Sequence, residues 1–238
     1  EVCGFLGFVL SKALLRPARE AGTAAEFLEA CVQEYAGHLN LREEPGAPEL
    51  DSRRILWQLL CGTQPVGSRE RCWNWRDPAG PFIAETLQAR GRRYNGYPVS
   101  SGYFGAYSVD GLAIALHSIY HTSSFLAAIT KCVNFRGDAD STAAIAGQMA
   151  GAFYGYGQID ARCIANLEKW DDGEIGLRGA LLCTLSIEAS AAAGAAAPNH
   201  TPKRPKTDEP GAEPEIPEES GAQMFTVYPR SFCPHLPT

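Results

Sequence analysis

Two carboxylates and a hydroxyl, Asp138, Asp140 and Ser141, stand within four residues in "GDADSTAAIAG", at the mouth of a segment almost bare of polar groups. Carboxylates at i and i+2 repel one another unless something positive lies between them. A hard divalent cation such as magnesium collects oxygen ligands of this kind. A turn leading into a rigid helix can present three such oxygens around one point. Helix capping is the competing reading, since each of the three residues can accept a hydrogen bond from the free N–H groups of a first helical turn, for about 1 kcal/mol. One cap suffices, and two carboxylates with a serine after the flexible Gly137 exceed that need. The spacing alone leaves both readings open.

The segment behind the acidic turn, "STAAIAGQMAGAFYG", places Gly147, Gly151 and Gly155 four residues apart on one helical face. Glycine inside a helix costs close to 1 kcal/mol relative to alanine. Three in register imply tight packing, which would bury the helix centrally and hold the acidic turn rigid, with Asp138 and Asp140 toward the interior and close to the preceding "GYFGAY" loop.

Upstream, helical periodicity marks residues 1–16 and 23–38, the second opened by Thr23 and Glu26 at capping-box spacing. "SRRILWQLLCG" is a helix started by Asp51 or Ser52 and stopped by Gly62, and "PFIAETLQARG" a short one with Pro81 in its first turn and Gly91 past its end. "RRYNGYPVSSGYFGAY" reads as a long loop, followed by helices over "SVDGLAIALHSIYHT" and "SSFLAAITKCVNF". Almost no alternating pattern is present, so the class is all-α.

Residues 63–81, with Trp73, Trp75, Arg69, Arg71 and Arg76, suggest a polar surface connector with aromatic anchors. Asp110 reads as the cap of the helix it opens. His117 and His121 lie four apart, a spacing that suits a metal, but the acidic turn offers a harder oxygen site and no second histidine pair exists. Asp171 and Asp172 of "WDDGE" read as capping or solvated residues.

Composition narrows the function. A net charge of −6 argues against a dedicated nucleic-acid surface. No apolar run approaches the roughly 20 residues that span a bilayer, so a membrane partner is not expected either. Eight scattered cysteines without a C-x-x-C pair suit a reducing, intracellular compartment, cytoplasmic rather than nuclear. From Ala189 the chain turns rich in alanine and then in proline and mixed charge, as in "PKRPKTDEPGAEPEIPEES", and is expected to be disordered.

The stretch from Ser108 to Gly155 resembles the C-terminal half of the ADP-ribosylglycohydrolase family. A tyrosine-containing Gly-rich loop, a helix, a Ser-Phe capped helix, a G-D-x-D-[ST] turn and a G-A-x-Y-G segment follow in the family's order. The resemblance is clear over residues 84–170. It implies an all-α bundle that holds two magnesium ions and hydrolyses the bond joining ADP-ribose to a protein side chain. It further implies that Asp140 bridges the two ions, that Asp138 and Ser141 complete the shell of one, and that Gly105 and Tyr107 contact ADP-ribose. The family's N-terminal G-D-x-x-G and [ST]-D-D-[ST] segments, which supply the remaining ligands, do not occur in this sequence. The chain, which begins at Glu1, is therefore read as a helical domain truncated at its N-terminus, residues 1–188, with a tail over 189–238. Alone it is expected to bind magnesium weakly and to hydrolyse little. The alternative is a non-catalytic ADP-ribose-binding or structural relative.

Overall fold

The computed structural model describes residues 1–16, 22–42 and 51–195, with side chains as far as residue 185. The chain divides into two units, Glu1–Ala180 and Leu181–Thr238. The described part of the second is the distal portion of one helix, which continues to Ala195. That is some way past the boundary expected near residue 188, and it follows the alanine run, the residue of highest helix propensity. The rest of the expected tail, and the 43–50 loop, lie outside the described residues.

The first unit is helical, as the sequence predicts. Helices α1 (Val2–Leu15), α2 (Ala24–His38) and α3 (Ser52–Cys61) precede α4 (Ile83–Arg90). Then come α5 (Ser108–Tyr120), α6 (Phe125–Asn134), α7 (Ala139–Tyr154) and α8 (Ala161–Asp171), and α9 (Glu174–Ala195) begins near the unit's end. Local chemistry sets most boundaries. Thr23 and Glu26 form the reciprocal capping box of α2, with Thr23 Oγ1 accepting from Glu26 N at 3.1 Å and Glu26 Oε2 accepting from Thr23 N at 2.8 Å. Asp51 caps α3 through Arg54 N, and Ser124 caps α6 through Ala127 N. Asp171 accepts from Gly173 N and Ile175 N at the start of α9, a capping role that matches its sequence reading.

Three expectations need correction. Helix α4 begins at Ile83, because Phe82 adopts a left-handed conformation that excludes Pro81 from the first turn. The "RRYNGYPV" stretch is not wholly loop. Arg93–Tyr94 (β1) and Tyr97–Pro98 (β2) pair antiparallel, joined by Asn95 and Gly96, both at positive φ. That is the Asn-Gly turn whose twist suits a hairpin. Finally, the 63–81 connector is not all surface loop: residues 72–75 in its middle are buried, while residues 65–67 are exposed. Trp73 and Trp75 are fully buried, and Trp75 Nε1 donates to Leu59 O at 2.8 Å. Arg76 donates to Leu60 O and Cys61 O, satisfying carbonyls left open at the end of α3, and pairs with Glu29 of α2. The tryptophans carry core surface, and the arginine supplies the hydrogen bonds that let an irregular segment be buried.

The central helix is α5, buried on every side from Val109 to Ile119 and packed against α1, α2, α3, α6 and α7. Helix α7 lies beside it, against α1 and α6. Side chains added at Gly147 and Gly151 would only touch Ile129 and Phe125 of α6 at ordinary distance, and Gly155 ends the helix at φ +82°. The close backbone approach is instead at Gly111 of α5, where a Cβ would lie 2.8 Å from Gly105 O. Among the described residues no helix is long and apolar enough to cross a membrane.

Candidate functional site

Two loops meet at one end of the α5–α7 pair. The turn between α6 and α7 takes Arg136 and Gly137 through positive φ and drops Asp138 against the loop before α5. Asp138 N donates to Phe104 O at 3.0 Å. Gly137 is required there, since a Cβ would clash with Phe104 O. On the other side of the junction, Gly105 packs beneath Thr142 of α7 and close to Asp138. Gly105 is buried. It therefore shapes the loop, while Ala106 and the half-buried Tyr107 present its outer surface.

Asp138 is the N-cap residue of α7, yet its side chain makes no capping hydrogen bond. Asp140, in the first turn, has the Ser141 backbone N–H and the Asp138 side chain as polar neighbours. These contacts, the Ser141 N–H foremost, hold the Asp140 carboxyl below its ordinary range. Capping thus accounts for Asp140 in part and for Asp138 not at all. Asp138 lies next to the "GYFGAY" loop and is half-buried, while Asp140 and Ser141 are exposed and not turned to the interior. The interior side of the bundle is already filled by Thr142, Ala146, Met149 and Ala150, so the acidic group faces outward.

Asp138 and Asp140 stand together at the start of α7, each with two carboxylate oxygens. Their oxygens and the neighbouring hydroxyl of Ser141 are the donors a hard cation takes. Among the described residues, no group of three or more His, Cys, Asp or Glu side chains could hold a metal ion. The donor types are those a hard cation takes, but two carboxylates fall short of such a group.

Asp110 is not a cap. It lies in the first turn of α5, fully buried, and its carboxylate is gripped by Arg90 in a bidentate pair, with Arg90 Nη2 to Oδ1 at 2.8 Å. Trp73 Nε1 donates to the same oxygen at 2.8 Å, and the Cys72 thiol lies 3.4 Å away. The Arg90 guanidinium stacks on the Tyr94 ring at 3.9 Å, and Tyr94 meets Tyr107 edge-on at 5.9 Å between centroids. Burial pushes the Tyr107 and Tyr94 phenols up from their ordinary values. Sequence reasoning missed this knot because Cys72, Trp73, Arg90 and Asp110 are scattered over 39 positions. The one local signal was a charged residue, Asp110, set among the apolar positions of α5.

His117 and His121 serve structure. Both rings hydrogen-bond Trp75 O, at 3.1 and 3.2 Å, and so pin the connector to α5. The Nε2 of His117 is buried with no hydrogen-bond partner among the described residues, and burial together with His121 lowers the pKa of His117 to about 4.

A family model described as ADP-ribosylglycohydrolase matches residues 1–192. Among curated proteins, the ADP-ribosyl-[dinitrogen reductase] glycohydrolase of Rhodospirillum rubrum is 38% identical over 74 residues, 31% of this chain and 25% of that protein. An ADP-ribosylarginine hydrolase of Serratia proteamaculans is 45% identical over 60 residues, 25% of this chain and 15% of the relative. One from Pseudomonas putida is 48% identical over 56 residues, 24% and 14%. The matched segments thus span a quarter or less of these relatives. No solved structure matches the chain significantly. The family match runs well upstream of residues 84–170, where the motifs lie, and takes in the acidic turn, the Phe104–Tyr107 loop and every helix that positions them: the chain belongs to the ADP-ribosylglycohydrolase family.

Proposed function

We propose that this chain contributes part of the site of an ADP-ribosyl hydrolase, which cleaves the glycosidic bond between ADP-ribose and a protein side chain. The observation that carries the reading is the convergence of Asp138 and Asp140 beside the Phe104–Tyr107 loop, with Asp138 free of any capping duty. Asp138, Asp140 and Ser141 would hold magnesium through their oxygens, with water and groups beyond this set filling the remaining positions. Held there, a cation would supply Lewis-acid polarisation and orientation of the ribose hydroxyls. Tyr107 offers a ring face and hydroxyl to the ligand beside the turn, and Gly105 sets the loop's path.

Two of the matched relatives are named ADP-ribosylarginine hydrolases, which makes arginine the acceptor to examine first. Release of ADP-ribose from an ADP-ribosyl-arginine peptide, with and without magnesium, tests the reading. Slow, magnesium-dependent release lost on Asp140→Ala supports it. Release that ignores both magnesium and Asp140→Ala would refute it. A second reading, binding without turnover, is favoured by the exposure of Asp140 and Ser141 and by the lack, among the described residues, of a third carboxylate grouped with Asp138 and Asp140. Tight ADP-ribose binding with no release would select that reading.

A further inference from the structure

The 73–77 part of the connector runs beside α5 and is fastened to it at two places. Trp73 Nε1 donates to Asp110, in the first turn of α5. About 10 Å further along the helix axis, two imidazoles meet the Trp75 carbonyl, His117 Nδ1 at 3.1 Å and His121 Nε2 at 3.2 Å. A carbonyl oxygen only accepts, so each ring must present an N–H to it. The pairing therefore assigns the tautomers: neutral His117 carries its proton on Nδ1, and neutral His121 on Nε2. The remaining nitrogen of His117, Nε2, is then a bare lone pair, buried with no hydrogen-bond partner among the described residues. A proton arriving there creates a buried cation whose new N–H has no acceptor.

The surroundings oppose that charge. The two rings lie 4.5 Å apart, so a proton on one disfavours a proton on the other. Lys131 of α6 acts against both, while Asp77 of the connector favours both and the Arg76 backbone favours a charge on His121. Phe135 and Tyr120 flank the pair with ring edges, and the Arg76 guanidinium is engaged by Glu29. Burial is the largest influence on each ring, and both are held below the ordinary histidine value, His117 at about 4.

We propose that the paired imidazoles and the Trp75 carbonyl form an acid-sensitive latch, which fastens residues 73–77 to α5 at neutral pH and lets that segment open locally in acid. The segment is short and irregular, so opening it breaks a few hydrogen bonds and leaves the helical core intact. Opening hydrates His117, which then takes a proton at its ordinary value near 6.5. The closed ring refuses one until about pH 4. Opening is therefore favoured as pH falls through 6.5, and the gain levels off below 4. From His117 alone, the open population rises roughly 10-fold between pH 7.5 and 5.5. His121 acts in the same direction. Because the open segment also withdraws Trp73 from Asp110, acid sensed at one end of α5 reaches the buried Arg90–Asp110 pair at the other.

Hydrogen exchange on the full chain, corrected for its intrinsic pH dependence, tests the latch. The indole N–H groups of Trp73 and Trp75 and the amides of Trp75 and Asp77 should together lose protection roughly 10-fold from pH 7.5 to 5.5. At each pH they should stay less protected than the amides of Ala113 and Leu116 inside α5. His117→Asn puts an amide N–H where Nδ1 stood, and His121→Gln puts one where Nε2 stood. The double variant keeps both donors to Trp75 O without titrating, so its segment should lose the pH dependence. Equal protection of segment and helix at every pH, or a pH dependence that survives the double variant, would overturn the proposal. Should the double variant not fold, imidazole nitrogen chemical shifts of the unaltered chain at pH 7.5 decide. His117 as the Nδ1–H tautomer with His121 as the Nε2–H tautomer upholds the latch, and either ring in the opposite tautomer overturns it.

Discussion

Asp110 and Asp140 occupy the same kind of place, the first turn of a helix, where the helix dipole favours a negative charge. Their fates are opposite. Asp110 is buried, bonded by Arg90 and Trp73, and chemically spent. Asp140 is exposed, lies against a second carboxyl, and has no ion pair among the described residues. Position in the sequence does not separate the two roles. The partner does: a carboxylate matched inside the fold holds structure together, and one left in carboxylate company is open to a ligand.

The contrast is sharpest at Arg90. Removing one member of a buried pair strands the other's charge, which costs about 3–5 kcal/mol. Arg90→Met should lose this much in urea denaturation. Arg90→Met with Asp110→Asn should recover more than half of it, because a neutral amide still accepts from Trp73. If the double variant is no more stable than the single one, the knot owes its stability to packing and not to matched charge.

A second buried group gives a pH test. His117 is held near 4 by burial and by His121, whereas an unfolded histidine titrates near 6.5. Between those values the unfolded chain binds a proton that the folded chain refuses. This group's effect is absent above about pH 6.5, destabilises progressively as pH falls toward 4, and levels off below. The expected loss is roughly 2–3 kcal/mol. Urea midpoints from pH 7.5 to 4 should show that slope, and His117→Gln should flatten it. An unchanged slope in the variant would assign the acid sensitivity to other groups.

The smallest effect is expected at the acidic turn. Asp138 makes no capping bond, so Asp138→Asn should alter thermal stability by less than about 0.5 kcal/mol. A loss near 1 kcal/mol or more would restore the capping explanation and weaken the ligand one.

The same contrast explains what was legible in the sequence. Local chemistry was readable: the Thr23–Glu26 box, the Ser124 cap and the apolar rhythm of α5 predicted helices that the structure contains. The acidic turn was readable because its residues are adjacent. The Asn95-Gly96 turn signal was present but was passed over beside so much glycine and serine. Contacts between distant segments were not readable. Nothing in "RCWNWR" tells that Trp73 will bond an aspartate 37 residues on, or that Arg76 will close the end of α3. Gly105, which the resemblance implies as a ligand contact, sits at positive φ with Thr142 filling the space beside it.

The central claim is that Asp138 and Asp140 form an oxygen site for a cation beside the Phe104–Tyr107 loop. The most direct measurement is a magnesium titration of the full chain followed by amide chemical shifts. The account predicts saturable shifts confined to residues 104–107 and 137–142, with a midpoint near or above the millimolar range, given so few protein ligands. Asp138→Asn and Asp140→Asn should each abolish them. Shifts absent from the turn, or unchanged in both variants, would contradict the claim.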